Sequence, residues 1–126
     1  MSHEENALQR KVRAVIGARP DVRIFRNNCG VAQYPTGARV RFGLFPGSSD
    51  LIGWRKVRIT QDMVGDTIAQ FLAIEVKSAK GKISAKQANF LRAVYCSGGC
   101  AGVVRSAEQA IELVATAGKT VERPAE

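Results

Sequence analysis

Acidic residues are scarce in this chain. Eleven Asp and Glu stand against nineteen Lys and Arg over 126 residues, leaving a net charge of +8 and a pI near 9.9. That deficit favours polyanionic partners, because cationic side chains that neutralise phosphates release counterions. Basicity alone does not choose among them, since ribosomal and membrane-surface proteins are basic too. No basic amphipathic helix with aromatic anchors is present, which disfavours a membrane surface. Long apolar runs are also missing, and nothing approaches the length of a bilayer crossing. The opening Met-Ser-His-Glu-Glu leads into no apolar stretch of signal-peptide type, so a cytoplasmic location is expected.

Cysteine is sparse and odd in number: Cys29, Cys96 and Cys100. With no export signal, a disulfide framework is not expected. Cys96-x-x-x-Cys100 with Cys29 and His3 does not have the spacing of a familiar zinc ligand set, and reduced, partly buried thiols are expected.

What is present is an ordinary globular composition, 45% hydrophobic, with room for one domain around one core. Leu8, Val12, Val15 and Ile16 recur at helical spacing within residues 4–17, and Gly17 and Pro20 mark the end. Val22-Arg-Ile-Phe-Arg-Asn27 alternates like a strand, and Asn28-Cys-Gly30 breaks it. Ala38–Gly43 alternates again, Phe45–Ser49 reads as a loop, and Asp50–Trp54 begins a third strand. Residues 55–70 are ambiguous. Lys56–Thr60 can continue the third strand, and Met63–Asp66 can turn the chain back. Phe71–Lys77 is an apolar run of the kind found in central strands covered on both faces. Ser84 and Gln87 have capping-box spacing and fix the start of a helix, with Phe90, Leu91, Val94 and Tyr95 as its buried stripe and Gly98-Gly99 as its stop. Ala101–Arg105 reads as a short strand. Ser106 caps a last helix over Ala107–Ala117, and the tail from Thr120 is expected to fray. The order αβββ(β)αβα describes one α/β domain, residues 1–119, with a central mixed sheet flanked by helices and a disordered tail at 120–126.

The chemistry concentrates on Asp50, Glu75 and Lys77. Glu75 and Lys77 lie two residues apart on a strand and share a face, while Val76 takes the other. Charges on an otherwise apolar central strand are costly unless they pair or bind a metal. Asp50 opens the preceding strand, and if the two strands pair, both carboxylates meet beside the lysine. Two hard oxygen donors suit Mg²⁺, which keeps several waters and binds phosphate oxygens. A plain Glu75–Lys77 salt bridge on an exposed strand is the alternative for a lone Glu-x-Lys.

Four segments occur in an order that resembles the virus-type replication-repair nuclease (VRR-NUC) group of the PD-(D/E)XK nuclease superfamily. They are Phe25–Gly30, Gly43-Leu-Phe-Pro-Gly-Ser-Ser-Asp-Leu-Ile-Gly53, Ile74-Glu-Val-Lys-Ser-Ala-Lys-Gly-Lys82 and Ser84-Ala-Lys-Gln87. The likeness spans roughly residues 4–114, and Ser49 stands where the superfamily's name has proline. It implies a restriction-endonuclease-like fold and a DNA endonuclease using Mg²⁺ or Mn²⁺, held by Asp50, Glu75, the Val76 carbonyl and Glu5. Lys77 would act on the attacking water or the phosphate, and Gln87 would touch Lys77 or the DNA backbone. Short members of this kind look like phage or bacterial enzymes acting on branched DNA, including four-way Holliday junctions, which fits a homodimer. The apolar residues of segment 55–70 are its candidate interface; the same hairpin can instead extend a monomer's sheet. Lys80, Lys82 and Lys86 surround the loop after the Glu-x-Lys strand and are the expected phosphate contacts, with Asn28 a further candidate and Arg39, Arg41, Arg55, Lys56 and Arg58 a possible extension.

Three assignments have a simpler competitor. Glu5 suits a helix N-terminus through the dipole, Gln87 suits the capping box with Ser84, and Asn28 suits turn chemistry. A catalytically inactive nucleic-acid-binding module of the same fold is the alternative function, and a basic RNA- or ribosome-binding protein a further one.

Overall fold

The computed structural model describes residues 2–116, which gather into two compact units, Met1–Val57 and Arg58–Glu126. Helices and strands alternate as expected of an α/β chain, but the strands form three two-stranded sheets where one central mixed sheet was expected. The tail at 120–126 lies outside the described residues.

The first unit opens with helix α1, His3–Gly17, capped by Ser2, whose Oγ accepts the Glu5 N–H at 3.1 Å. Glu4 and Glu5 occupy its first turn, where carboxylates complement the helix dipole. The stripe read as its buried face is not buried: Leu8 is 60% and Val15 63% exposed. Arg13, Ala14, Gly17 and Ala18 instead border the hollow over Val22 and Ile24.

Strands β1 (Val22–Arg26) and β4 (Leu51–Arg55) pair antiparallel, from Val22↔Arg55 to Arg26↔Leu51. A Cβ at Gly53 would stand 2.0 Å from the Arg23 carbonyl oxygen, so only glycine allows this approach. Between them lies an antiparallel hairpin of β2 (Gly30–Gln33) and β3 (Arg39–Phe42). Strand β2 was not expected, because Asn28-Cys-Gly30 reads as a break; Gly30 in fact begins the strand and carries the Phe42 ring over it. Its turn closes through Tyr34 N–H to the Ala38 carbonyl at 2.8 Å, with Gly37 at φ 89°.

The second unit contains β5 (Leu72–Val76), α2 (Ala85–Cys96), β6 (Cys100–Val104) and α3 (Ala107–Ala115). Strands β5 and β6 run parallel, from Leu72↔Cys100 to Val76↔Val104, with α2 as the crossover. Both α2 and α3 pack on β6, every residue of which is buried. Strand β5 does not have both faces covered: Leu72, Ile74 and Val76 are exposed while Ala73 and Glu75 are half-buried. Its only strand partner among the described residues is β6, which leaves its other edge without a ladder.

No hairpin forms in residues 55–70. Strand β4 ends at Arg55, Lys56 N–H still reaches the Asp21 carbonyl at 2.7 Å, and a 3₁₀ turn follows at Gln61–Met63. Val57, Ile59, Val64 and Ile68 are exposed there.

Candidate active site

In the second unit, β5 and the start of α2 build a small polar centre. The Ser84 Oγ accepts the Gln87 N–H at 3.1 Å, and Gln87 Oε1 accepts the Ser84 N–H at 2.9 Å, so the capping box is complete. The same Gln87 side chain donates from Nε2 to Glu75 Oε1 at 2.8 Å. Gln87 thus fills the capping-box role and also reaches the strand, where its partner is Glu75 and not the Lys77 that the resemblance implies. The cap fixes the amide, and the amide fixes the carboxylate.

Lys77 Nζ stands 3.6 Å from the same Glu75 Oε1, with the side chains only 22% and 29% exposed. That is an ion pair too long for a direct hydrogen bond, and it is not on an open strand face. Glu75 Oε2 carries no hydrogen bond among the described residues. Carboxylate, ammonium and amide therefore converge in a half-buried setting where charge is weakly screened.

The basic loop after β5 is held by a residue the sequence did not single out. Arg105, just past β6, donates from one guanidinium nitrogen to the carbonyls of Ser78 at 2.6 Å and Gly81 at 2.7 Å. Lys80, Lys82 and Lys86 are exposed on this loop and the first turn of α2. Nothing local marks Arg105, since these two guanidinium bonds reach 24 and 27 positions back along the chain.

In the first unit, Asp50 is exposed at the mouth of a cleft of about 420 Å³ lined also by Asn6, Gln9, Arg26, Asn27, Asn28, Cys29 and Ser48. Asn6 and Gln9 line this cleft from α1; Glu5 does not. Asn28 lines it and is exposed. Its neighbour Asn27 ties the loop before Asp50 to β1. Asn27 Nδ2 donates to Ser48 Oγ at 2.7 Å and to the Ser49 carbonyl at 3.0 Å. Asn27 Oδ1 accepts the Leu44 N–H at 3.1 Å and the Cys29 thiol at 3.4 Å. Hydrogen bonding to Ser48 above all holds the exposed Cys29 thiol below its ordinary range, whereas burial pushes Cys100 up.

Asp50 does not open the strand as expected but stands one residue before β4. Strand β4 pairs with β1, while the strand of Glu75, β5, pairs with β6, so the pairing expected between their strands is not made. Among the described residues no three His, Cys, Asp or Glu side chains gather as a metal cage.

A half-buried Glu-x-Lys pair thus closes β5, bonded by the helix that follows and flanked by a basic loop. The chain belongs to the VRR-NUC domain family, whose model matches residues 36–108, more than half of its length. The match includes Asp50, Glu75, Val76, Lys77, Gln87 and the three loop lysines; Glu5, Asn27 and Asn28 precede it. No curated protein and no solved structure matches the chain. The family makes DNA the substrate class, and among the described residues no helix is long and apolar enough to cross a membrane.

Proposed function

We propose that this chain is a Mg²⁺- or Mn²⁺-dependent DNA endonuclease of restriction-endonuclease-like type, acting on branched DNA such as Holliday junctions. The observation that supports it best is Glu75, half-buried between the Lys77 ammonium and the capped Gln87 amide within the family-matched segment.

The donor set fits the ion. Mg²⁺ is bound through one or two carboxylates and keeps several waters, so no cage of three protein carboxylates is required. Glu75 Oε2 and the Val76 carbonyl are the proposed donors on the Glu-x-Lys strand, and Asp50 keeps the ligand role that the resemblance implies for it. Glu5 is the weakest member of this set, because its place in the first turn of α1 is already explained by the helix dipole. When bound, the ion supplies Lewis acidity at a phosphate oxygen and a lowered pKa for water. Gln87 keeps Glu75 turned, and Lys77 offers a cation for charge developing on the phosphate. Lys80 and Lys82, on the loop that Arg105 bonds, and Lys86, in the first turn of α2, are the proposed contacts to backbone phosphates of the DNA.

A four-way junction is two-fold symmetric and needs two cuts, which fits a homodimer; the exposed apolar residues of 55–70 are its proposed contact. The deciding experiment is cleavage of a panel of linear, flapped and four-way DNA with and without Mg²⁺, alongside sedimentation at micromolar concentration. Metal-dependent cutting of the junction by a dimer is expected. Salt-sensitive binding with no cutting under any metal would instead favour the inactive module.

A further inference from the structure

Asn27 uses its entire hydrogen-bonding capacity, most of it on one loop. An asparagine side chain has two N–H donors and two acceptor lone pairs, and here all four are engaged, by Ser48, Ser49, Leu44 and Cys29. Its own N–H also donates to the Asp50 carbonyl at 2.8 Å, one step beyond the last β1–β4 pair. Residues 44, 48, 49 and 50 are thus all anchored to a single half-buried residue 17 or more positions earlier. Ser48 completes the closure by donating to the Phe45 carbonyl at 2.7 Å. Gly43, at φ 83°, opens the loop beside Asn28 and Cys29, where a Cβ would come within 2.7 Å of three atoms. The loop has no regular secondary structure and no buried apolar residue, so these bonds are what define its path.

We propose that Asn27 is a positioning residue for the metal site, holding the loop 44–49 so that Asp50 is presented in one orientation. The inference rests on the reading of Asp50 as a metal ligand. Groups that orient a ligand from behind are worth about 10–100-fold in metal affinity. Asn27 lies ahead of residues 36–108, the part that the family model matches.

The test uses the full chain with Mn²⁺ alone as probe, followed by electron paramagnetic resonance, and the pH profile of Cys29 alkylation read by peptide mass spectrometry. Asn27→Ala is expected to weaken Mn²⁺ binding by about 10–100-fold and to move the Cys29 midpoint upward, because Ser48 loses its anchor. Ser48→Ala, which leaves the Leu44 and Ser49 bonds intact, is expected to give a smaller loss and stands in if Asn27→Ala does not fold. Unchanged Mn²⁺ affinity in folded Asn27→Ala overturns the positioning role, whatever Cys29 does. An unmoved Cys29 midpoint overturns the clasp itself. Equal Mn²⁺ binding by the parent chain and Asp50→Ala would instead remove the metal reading of Asp50, a failure that leaves the alkylation result to judge the clasp by itself.

Discussion

The two units are held together by different physics. Among the described residues, the buried core of Leu91, Val94, Cys100, Ala101, Val103, Val104 and Leu113 belongs wholly to the second unit. The first has none among its described residues and relies on side-chain hydrogen bonds, glycine approaches and strand ladders. Apolar burial is roughly proportional to area and tolerates small displacements, whereas a hydrogen-bonded loop depends on each partner. The Glu-x-Lys strand is therefore mounted on the packed scaffold, and Asp50 on the polar, more easily opened side.

The sharpest way to separate site from scaffold is to damage each in turn. Glu75→Ala is expected to lower Mg²⁺-dependent cleavage by on the order of 10²–10³-fold with little change in thermal unfolding. Retained cleavage would remove Glu75 from the chemistry. Leu113→Ala should do the reverse within the same unit. It deletes a fully buried side chain beside Cys100 and Val104 and should cost about 2–5 kcal/mol, lowering Tm by on the order of 10 °C. Leu8→Ala on the exposed stripe of α1 should stay within about 0.5 kcal/mol. Comparable losses in the two leucine variants would contradict the contrast drawn between the units.

Gln87→Glu tests the residue that joins scaffold to site. Glutamate is equally competent in a capping box, so folding should be nearly preserved. The amide that donates to Glu75 becomes a like charge, and metal affinity should fall by about 10–100-fold. A variant with normal metal binding would show that the cap is Gln87's whole role.

The smallest effect is expected at Asp21. Hydrogen bonds from Arg19 hold its carboxyl below the usual range, so the pair stabilises at neutral pH. That contribution is lost as pH falls through the depressed folded pKa. The pair is exposed, so Asp21→Asn should only slightly flatten the acid limb of a Tm-against-pH curve. A large drop in Tm at neutral pH would mean that the first unit leans on this pair more than its exposure allows.

The sequence was most informative where the physics is local. A capping box spans three residues, so Ser84 and Gln87 announced α2 and its first turn without knowledge of the rest. The period-two rule put Glu75 and Lys77 on one side of the chain, where they pair although Lys77 falls one residue past the end of β5, and the order of short segments carried the family. Local signals also misled. Asn28-Cys-Gly30 has turn composition, yet Gly30 opens β2 because its partner Phe42 lies across the hairpin. The apolar stripe of α1 has helical spacing, yet spacing says nothing about which face meets a neighbour.

Sequence alone therefore determined the charge balance, most of the secondary elements, the family and the identity of the candidate acid and base groups. These follow from residue chemistry and from contacts a few positions apart. Tertiary structure decided that Gln87 grips Glu75 rather than Lys77, that Arg105 steadies the basic loop, and that Asn27 clasps the residues before Asp50. The Asn27–Ser48 bond spans 21 positions and the Arg105–Ser78 bond 27. At such separations the path of the folded backbone, not the local preference of either residue, chooses the partner.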